Sequence, residues 1–89
     1  MSERDPVTYD FTDREALVMR QAFHKPGNVG QLTSGKENVA AIERMVEAGL
    51  LTAEPAKNQK LLVRPTTKGR EAWTNQGLRA AGRPLVRLT

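Results

Sequence analysis

The first apolar pattern of helical spacing covers residues 12–24. Thr12 and Glu15 stand three residues apart, which is the spacing of a capping box at a helix start. The apolar stripe behind this box consists of Ala16, Met19 and Phe23, with Leu17 beside it. The run HKPG at residues 24–27 is basic and then helix-breaking, so it predicts the helix end.

A second helix is predicted over about residues 35–48. Ser34 and Glu37 repeat the capping-box spacing, and Gly49 stands where a helix would stop. The predicted core face of this helix consists of Val39, Ile42, Met45, Val46 and Leu50. Residues 28–33, which lie between the two helices, leave room only for a short helix or a turn.

The second half of the chain predicts a β-hairpin followed by a helix. Two short apolar runs flank the polar stretch 53–60, a pattern that is typical of a hairpin. The strands are predicted at residues 50–52 and 61–64. Pro65 ends the second strand because it has no N–H to donate to a sheet. Thr66 or Thr67 is expected to cap a further helix through Trp73, whose ring we expect in the core.

The terminal segments have strand-like patterns without a defined partner. Val7, Tyr9 and Phe11 alternate with polar residues, and residues 85–88 contain a short apolar run. The two segments could pair with one another, but nothing in the sequence fixes that arrangement. The predicted division is an N-terminal arm at residues 1–11, a domain at residues 12–76 and a basic C-terminal tail at residues 77–89.

The residue types present exclude most catalytic and metal sites. The chain has 89 residues, no cysteine and one histidine, which excludes thiol nucleophiles, disulfides and zinc–thiolate sites. Ser34 and the lone His24 lack the orienting third group of a catalytic triad. Residues 30–37 depart from the phosphate-loop pattern because Glu37 stands where a hydroxyl belongs. We therefore predict no enzyme activity, no cofactor and no metal.

Hydropathy points to a small folded domain outside the membrane. Hydrophobic residues make up 38% of the chain and charged residues 27%, proportions that fit a globular domain better than a disordered tail. No apolar run is long enough to span a membrane, and the polar start of the chain does not resemble a signal peptide. We therefore expect a cytoplasmic protein.

Charge is distributed unevenly along the chain. Of the 14 basic and 10 acidic residues, eight basic residues but only one acidic residue lie within residues 55–89. The remaining six basic and nine acidic residues give the first 54 residues a negative balance. A short segment with such an excess of positive charge favours a polyanionic partner such as nucleic acid, although a solvated basic surface gives the same pattern.

Two stretches of the sequence resemble a known family of DNA-binding proteins. Residues 39–51, VAAIERMVEAGLL, look like a recognition helix that runs into the first strand of a wing. Residues 64–71, RPTTKGRE, are similar to the segment that follows the wing in MarR-like and PadR-like transcription regulators. The resemblance implies an α+β fold that is mainly α with a small β-hairpin. In detail, it implies a winged helix-turn-helix with three core helices plus a wing.

The same resemblance implies sequence-specific binding to double-stranded DNA by a transcription regulator of bacterial, plasmid or phage origin. The candidate DNA-binding residues are Thr33, Ser34, Lys36, Asn38, Ala41, Arg44, Lys57, Asn58, Lys60, Lys68 and Arg70. Asn38 is expected to pair with adenine, and Lys36 or Arg44 with guanine or phosphate. The hairpin tip is expected to contact phosphates or the minor groove.

Acidic residues on the proposed reading helix leave an alternative open. Glu37, Glu43 and Glu47 lie in this helix, and carboxylates facing DNA would repel its phosphates. The alternative is a winged-helix module that binds another protein, and not DNA, through the same helix or the terminal arms. The terminal arms are also candidates for a homodimer contact.

Overall fold

The protein is described here by a computed structural model that covers residues 4–23, 31–33, 35–57 and 60–88, with the backbone alone at 31–33. The elements in chain order are α1 (Asp13–Ala22), β1 (Gln31–Thr33), α2 (Lys36–Glu47), β2 (Leu51–Pro55), β3 (Leu61–Pro65) and α3 (Thr67–Ala80). The fold is therefore α+β, with three helices and the predicted antiparallel hairpin among these residues. None of these helices is long and apolar enough to cross a membrane.

Helix α1 begins as predicted but buries a different face. The Oγ1 of Thr12 accepts a hydrogen bond from the Glu15 amide at 3.1 Å, and the Thr12 amide donates to Glu15 Oε1 at 3.0 Å. The buried residues of α1 are Glu15, Val18, Met19 and Ala22. The predicted stripe was therefore wrong at Phe23, which is 36% exposed. Phe23 is the C-cap, because α1 ends at Ala22, one residue before the predicted stripe does.

Helix α2 differs from the prediction at its start and in its buried face. Its N-cap is Gly35, which has a φ of 100° and no capping side chain. The expected partner Ser34 lies outside the described residues, and the Glu37 carboxylate bonds to Arg14 in place of a cap. The buried residues are Ala41, Ile42 and Met45. Val46, which we expected in the core, is 39% exposed, because the small Ala41 takes the inward position.

The sheet has a third strand that the sequence pattern did not reveal. Strand β3 lies between β1 and β2 and is antiparallel to both. Strand β1 pairs Gln31 with Val63 and Thr33 with Leu61. The prediction of a short helix or a turn was therefore wrong for residues 31–33, and its remaining residues lie outside the described part of the chain. The hairpin of β2 and β3 is confirmed.

Helix α3 is longer than expected. Thr66 is its N-cap, and the Thr66 hydroxyl accepts a hydrogen bond from the Gly69 amide at 2.9 Å. The helix continues through residue 77, where we expected a C-terminal tail to begin, and ends at Ala80. Trp73 packs against the core, which confirms its predicted core role. Its ring meets the Phe11 ring edge-on, with the two ring centroids 5.3 Å apart. The core itself consists of Val18, Met19, Ala41, Ile42, Met45, Leu50, Leu51, Val63 and Ala72.

Candidate nucleic-acid interface

Strand register brings the start of α2 and the tip of the hairpin to the same end of the protein. Thr33 pairs with Leu61, which follows directly on the turn between β2 and β3. Helix α2 begins only three residues after Thr33, within about 10 Å along the chain. We call this the tip end and define it by the predicted site residues Lys36, Asn38, Lys57 and Lys60. All three lysines are exposed at this end.

The opposite end of the sheet carries the joint between α2 and α3. The Thr66 hydroxyl donates to the Gly49 carbonyl at 2.7 Å, and the Thr66 amide donates to the Leu50 carbonyl at 3.0 Å. Lys68 lies beside Gly49, since a Cβ at Gly49 would be 3.6 Å from the Lys68 Nζ. We call this the base end and define it by Gly49, Leu50, Thr66 and Lys68.

The two ends separate the predicted DNA-binding residues into different places. Lys68 lies at the base end, and Arg70 belongs to the same first turn of α3. About four residue steps of β3, or roughly 14 Å, separate Pro65 at the base from Leu61 at the tip. Lys68 and Arg70 therefore lie at the end of the sheet opposite to Lys36. The residue after β3 returns toward the C-terminal end of α2 and away from its start.

One predicted contact on α2 needs correction, and a second lies far from the tip end. Ala41 is fully buried in the core cluster, so it faces away from any partner and the prediction that it contacts DNA was wrong. Arg44 lies in the last turn of α2 and is 54% exposed. Its Nε is 3.8 Å from Oε2 of Glu15 in α1. About two helical turns therefore separate Arg44 from Lys36 at the tip end.

Arg14 of α1 changes what the first turn of α2 presents. Its Nη2 lies 2.7 Å from Glu37 Oε2, and its Nη1 donates to Asn38 Oδ1 at 3.4 Å. The guanidinium therefore offsets the charge of Glu37 at the tip end. It also engages the Asn38 oxygen that bidentate pairing with adenine requires. Adenine pairing by Asn38, as the sequence suggested, would first require Arg14 to release this oxygen.

The outer face of α2 beyond its first turn is apolar and acidic. A shallow depression of about 450 Å³ is lined by Gly35, Lys36, Val39, Ala40 and Glu43. Val46 and Glu47 continue the exposed face toward the C-terminus of the helix. On this face of α2, the basic residue is therefore Lys36 at the start of the helix.

A buried carboxylate links the N-terminal arm to α1 and α2. Glu15 is 1% exposed, and its Oε2 accepts a hydrogen bond from the Tyr9 hydroxyl. Burial acts to raise the pKa of Glu15, but hydrogen bonds from Tyr9 and Thr12 outweigh burial and hold this pKa below its ordinary value. Burial, followed by the bond to Glu15, raises the pKa of Tyr9 to about 12. Tyr9 and Glu15 are six residues apart and carry no motif, so sequence reasoning missed this bond.

Two buried polar residues on α3 hold both terminal segments. Asn75 is 0% exposed and Glu71 1% exposed, and they lie one helical turn apart. Glu71 accepts hydrogen bonds from the amides of Val7 and Leu88, while the Asn75 amide group donates to the carbonyls of Val7 and Val86. Sequence reasoning missed both residues. The available signal was a polar pair at helical spacing beside the apolar Ala72 and Trp73.

The side-chain bonds of Glu71 explain its ionisation. Arg4 binds both of its carboxylate oxygens. This pairing with Arg4 lowers the pKa of Glu71 to about 2. Burial opposes the change, and the hydrogen bonds from the Val7 and Leu88 amides add to it. Glu71 is thus a charged group within the fold and is occupied by the chain itself.

The structure does not describe the side chains of three predicted DNA-binding residues. Ser34 and Asn58 lie outside the described residues, as does the side chain of Thr33. Within the ranges that the structure covers, no three His, Asp or Glu side chains gather as potential metal ligands. The chain matches no protein-family model, no curated protein and no solved structure.

Proposed function

We propose that this protein is a winged-helix transcription regulator that binds double-stranded DNA through its tip end. The observation that carries the proposal is the β1–β3 register, which brings the first turn of α2, with its exposed Lys36, to the same end of the sheet as the exposed Lys57 and Lys60 of the hairpin tip. In a winged helix, the N-terminal part of the recognition helix enters the major groove. The wing then contacts the neighbouring backbone phosphates.

The charge distribution of α2 supports this direction of approach. Lys36 lies in its first turn, where Arg14 also offsets Glu37. Glu43 and Glu47 lie further along the helix, so a helix that enters the groove by its N-terminus keeps them away from the phosphates. Lys57 and Lys60 on the hairpin supply sequence-independent attraction.

A salt titration on a duplex of random sequence tests the proposal. Binding measured by fluorescence anisotropy is expected to weaken steeply as salt rises. The double variant Lys57→Ala/Lys60→Ala should lower the magnitude of the log–log slope by about 2, because two phosphate contacts are lost. The matched control Lys68→Ala/Arg70→Ala removes the same charge from outside the tip end and should leave more of the slope intact.

Two outcomes would overturn the proposal. One is binding to duplex DNA that is absent or insensitive to salt. The other is an equal loss of slope in the two double variants, because general positive charge and not the tip end would then be responsible.

The second candidate function is protein recognition through the outer face of α2. It is favoured by the shallow depression along Val39 and Ala40, which continues to the exposed Val46 between acidic residues. An apolar helix face of this kind is typical of helix-mediated docking. Substitution of Val46 by Ser would weaken such a complex and leave DNA binding unchanged, whereas the lysine variants would do the reverse.

A further inference from the structure

The C-terminal segment 83–88 is held on α3 through its main chain. The Val86 amide donates to Asn75 Oδ1 at 2.8 Å, and the Val86 carbonyl accepts from Asn75 Nδ2 at 3.0 Å. The Leu88 amide donates to Glu71 Oε1 at 2.6 Å. The side chains of Val86 and Leu88 are 37% and 47% exposed. The pair of Glu71 and Asn75 therefore recognises the extended backbone of this segment, while the side chain of Arg87 adds a hydrogen bond from its Nε to the Arg4 carbonyl.

A glycine turn directs this segment back along α3. Gly82 has a φ of 70° and follows the helix C-cap Ala81. The Arg83 amide bonds to the Leu78 carbonyl and the Gly82 amide to the Arg79 carbonyl, which is the hydrogen-bond pattern of a Schellman motif. With an ordinary negative φ at Gly82, the chain would leave the helix end in another direction.

We propose that segment 83–88 can exchange between two copies of this chain, with Gly82 as the hinge. Every copy carries the same buried Glu71 and Asn75, so a segment arriving from a second copy makes the same main-chain bonds. The closed monomer and the exchanged dimer then differ mainly in the conformation of the hinge. Pro84 favours an extended conformation at Arg83, which suits a segment that leaves its own helix. This exchange is independent of DNA binding.

The hinge can be tested with a matched pair of glycine substitutions in the 89-residue chain. Gly82→Ala destabilises the left-handed turn of the closed monomer, because a residue with a Cβ disfavours a positive φ. For each chain, this shifts the equilibrium between the closed and the open hinge by roughly tenfold toward the open form. The dimerisation constant should therefore rise about a hundredfold, measured by sedimentation across the micromolar to millimolar range. The control Gly77→Ala lies within α3, where an added Cβ meets nothing within 4 Å, and should not change dimerisation.

Two substitutions at Val86 identify the bonds that hold the dimer. Gly82→Ala/Val86→Pro removes the amide that donates to Asn75 and should return the protein to a monomer. Gly82→Ala/Val86→Ala keeps the amide and should stay dimeric. The proposal is overturned if Gly82→Ala dimerises no more than Gly77→Ala. It is equally overturned if the Val86→Pro double variant remains dimeric, since the copies would then associate through another surface.

Discussion

Gly69, in the first turn of α3, lies directly against the main-chain carbonyl of Leu50. A Cβ at position 69 would be 1.9 Å from the Leu50 oxygen and 2.8 Å from its carbonyl carbon. Thr66 completes this joint with hydrogen bonds to Gly49 and Leu50. The threonine and glycine of the stretch that resembles the regulators thus have a structural explanation, which is the close approach of α3 to the end of α2.

Gly69→Ala should strongly destabilise the fold. The added methyl group would overlap backbone atoms, which cannot rotate away as a side chain can, and overpacking of this kind costs about 3 kcal/mol or more. Gly77→Ala is the matched control in the same helix, and we expect it to stabilise the protein by about 0.5–1 kcal/mol. Urea denaturation of both variants checks the prediction. Equal stabilities would mean that α3 does not approach Leu50 so closely.

Glu71→Gln should reduce stability at neutral pH and have a smaller effect in acid. The folded-state pKa of about 2 lies below the ordinary value of 4.5, so the charged form stabilises the fold above about pH 4.5. This contribution is lost as pH falls through about 2. The difference between wild type and variant in denaturant unfolding should therefore shrink from pH 5 toward pH 2, in line with the two pKa values.

An exposed carboxylate provides the control for this pH dependence. Glu47 is exposed on α2, and Glu47→Gln should change stability little at any pH in the same window. A constant difference between wild type and Glu71→Gln across the window would contradict the charged pairing of Glu71 with Arg4.

Tyr9→Phe should cost about 1–2 kcal/mol at neutral pH, because the buried Glu15 carboxylate loses a hydrogen-bond donor. The ring contact with Phe11 is retained, so the loss reports on the hydroxyl. The pKa of Tyr9 is raised from 10.0 to about 12, so its contribution is present below pH 10 and is lost as pH rises through about 12. Thermal melting from neutral to alkaline pH should show wild type and variant converging.

Ile42→Ala and Val46→Ala should separate the buried and exposed faces of α2. Ile42 is 0% exposed, and its truncation should cost about 2–5 kcal/mol. Val46 is 39% exposed, and its truncation should stay within about 0.5 kcal/mol. Chemical denaturation of the two variants measures both values. A loss at Val46 as large as the loss at Ile42 would mean that Val46 is buried together with Ile42, as the apolar pattern had suggested.

Arg14→Gln should weaken DNA binding more than its own contact accounts for, if the proposed function holds. Its removal leaves Glu37 unpaired beside the phosphates at the tip end. The double variant Arg14→Gln/Glu37→Gln should recover most of the lost affinity, because the unpaired carboxylate is gone. A double-mutant cycle of anisotropy titrations measures this coupling. Purely additive losses would show that the pair has no influence on binding.

The sequence by itself determined the elements whose signals are local. The Thr12–Glu15 box, the two apolar runs of the hairpin and the Thr66 cap each depend on residues a few positions apart, and the structure contains all three. The winged-helix identity and DNA binding remain predictions from the sequence, supported by the placement of the tip-end lysines.

Only the tertiary structure decided which faces are buried and which distant residues meet. Ala41 and Val46 exchange their expected places because helix rotation depends on what packs against a helix, and hydropathy does not record that. Strand β1 depends on pairing with β3, some thirty residues later, and its own three residues have no strand pattern. The bonds of Glu71 and Asn75 to both termini likewise join groups far apart in the chain. Their partners are main-chain atoms, which every residue carries and no sequence pattern can mark.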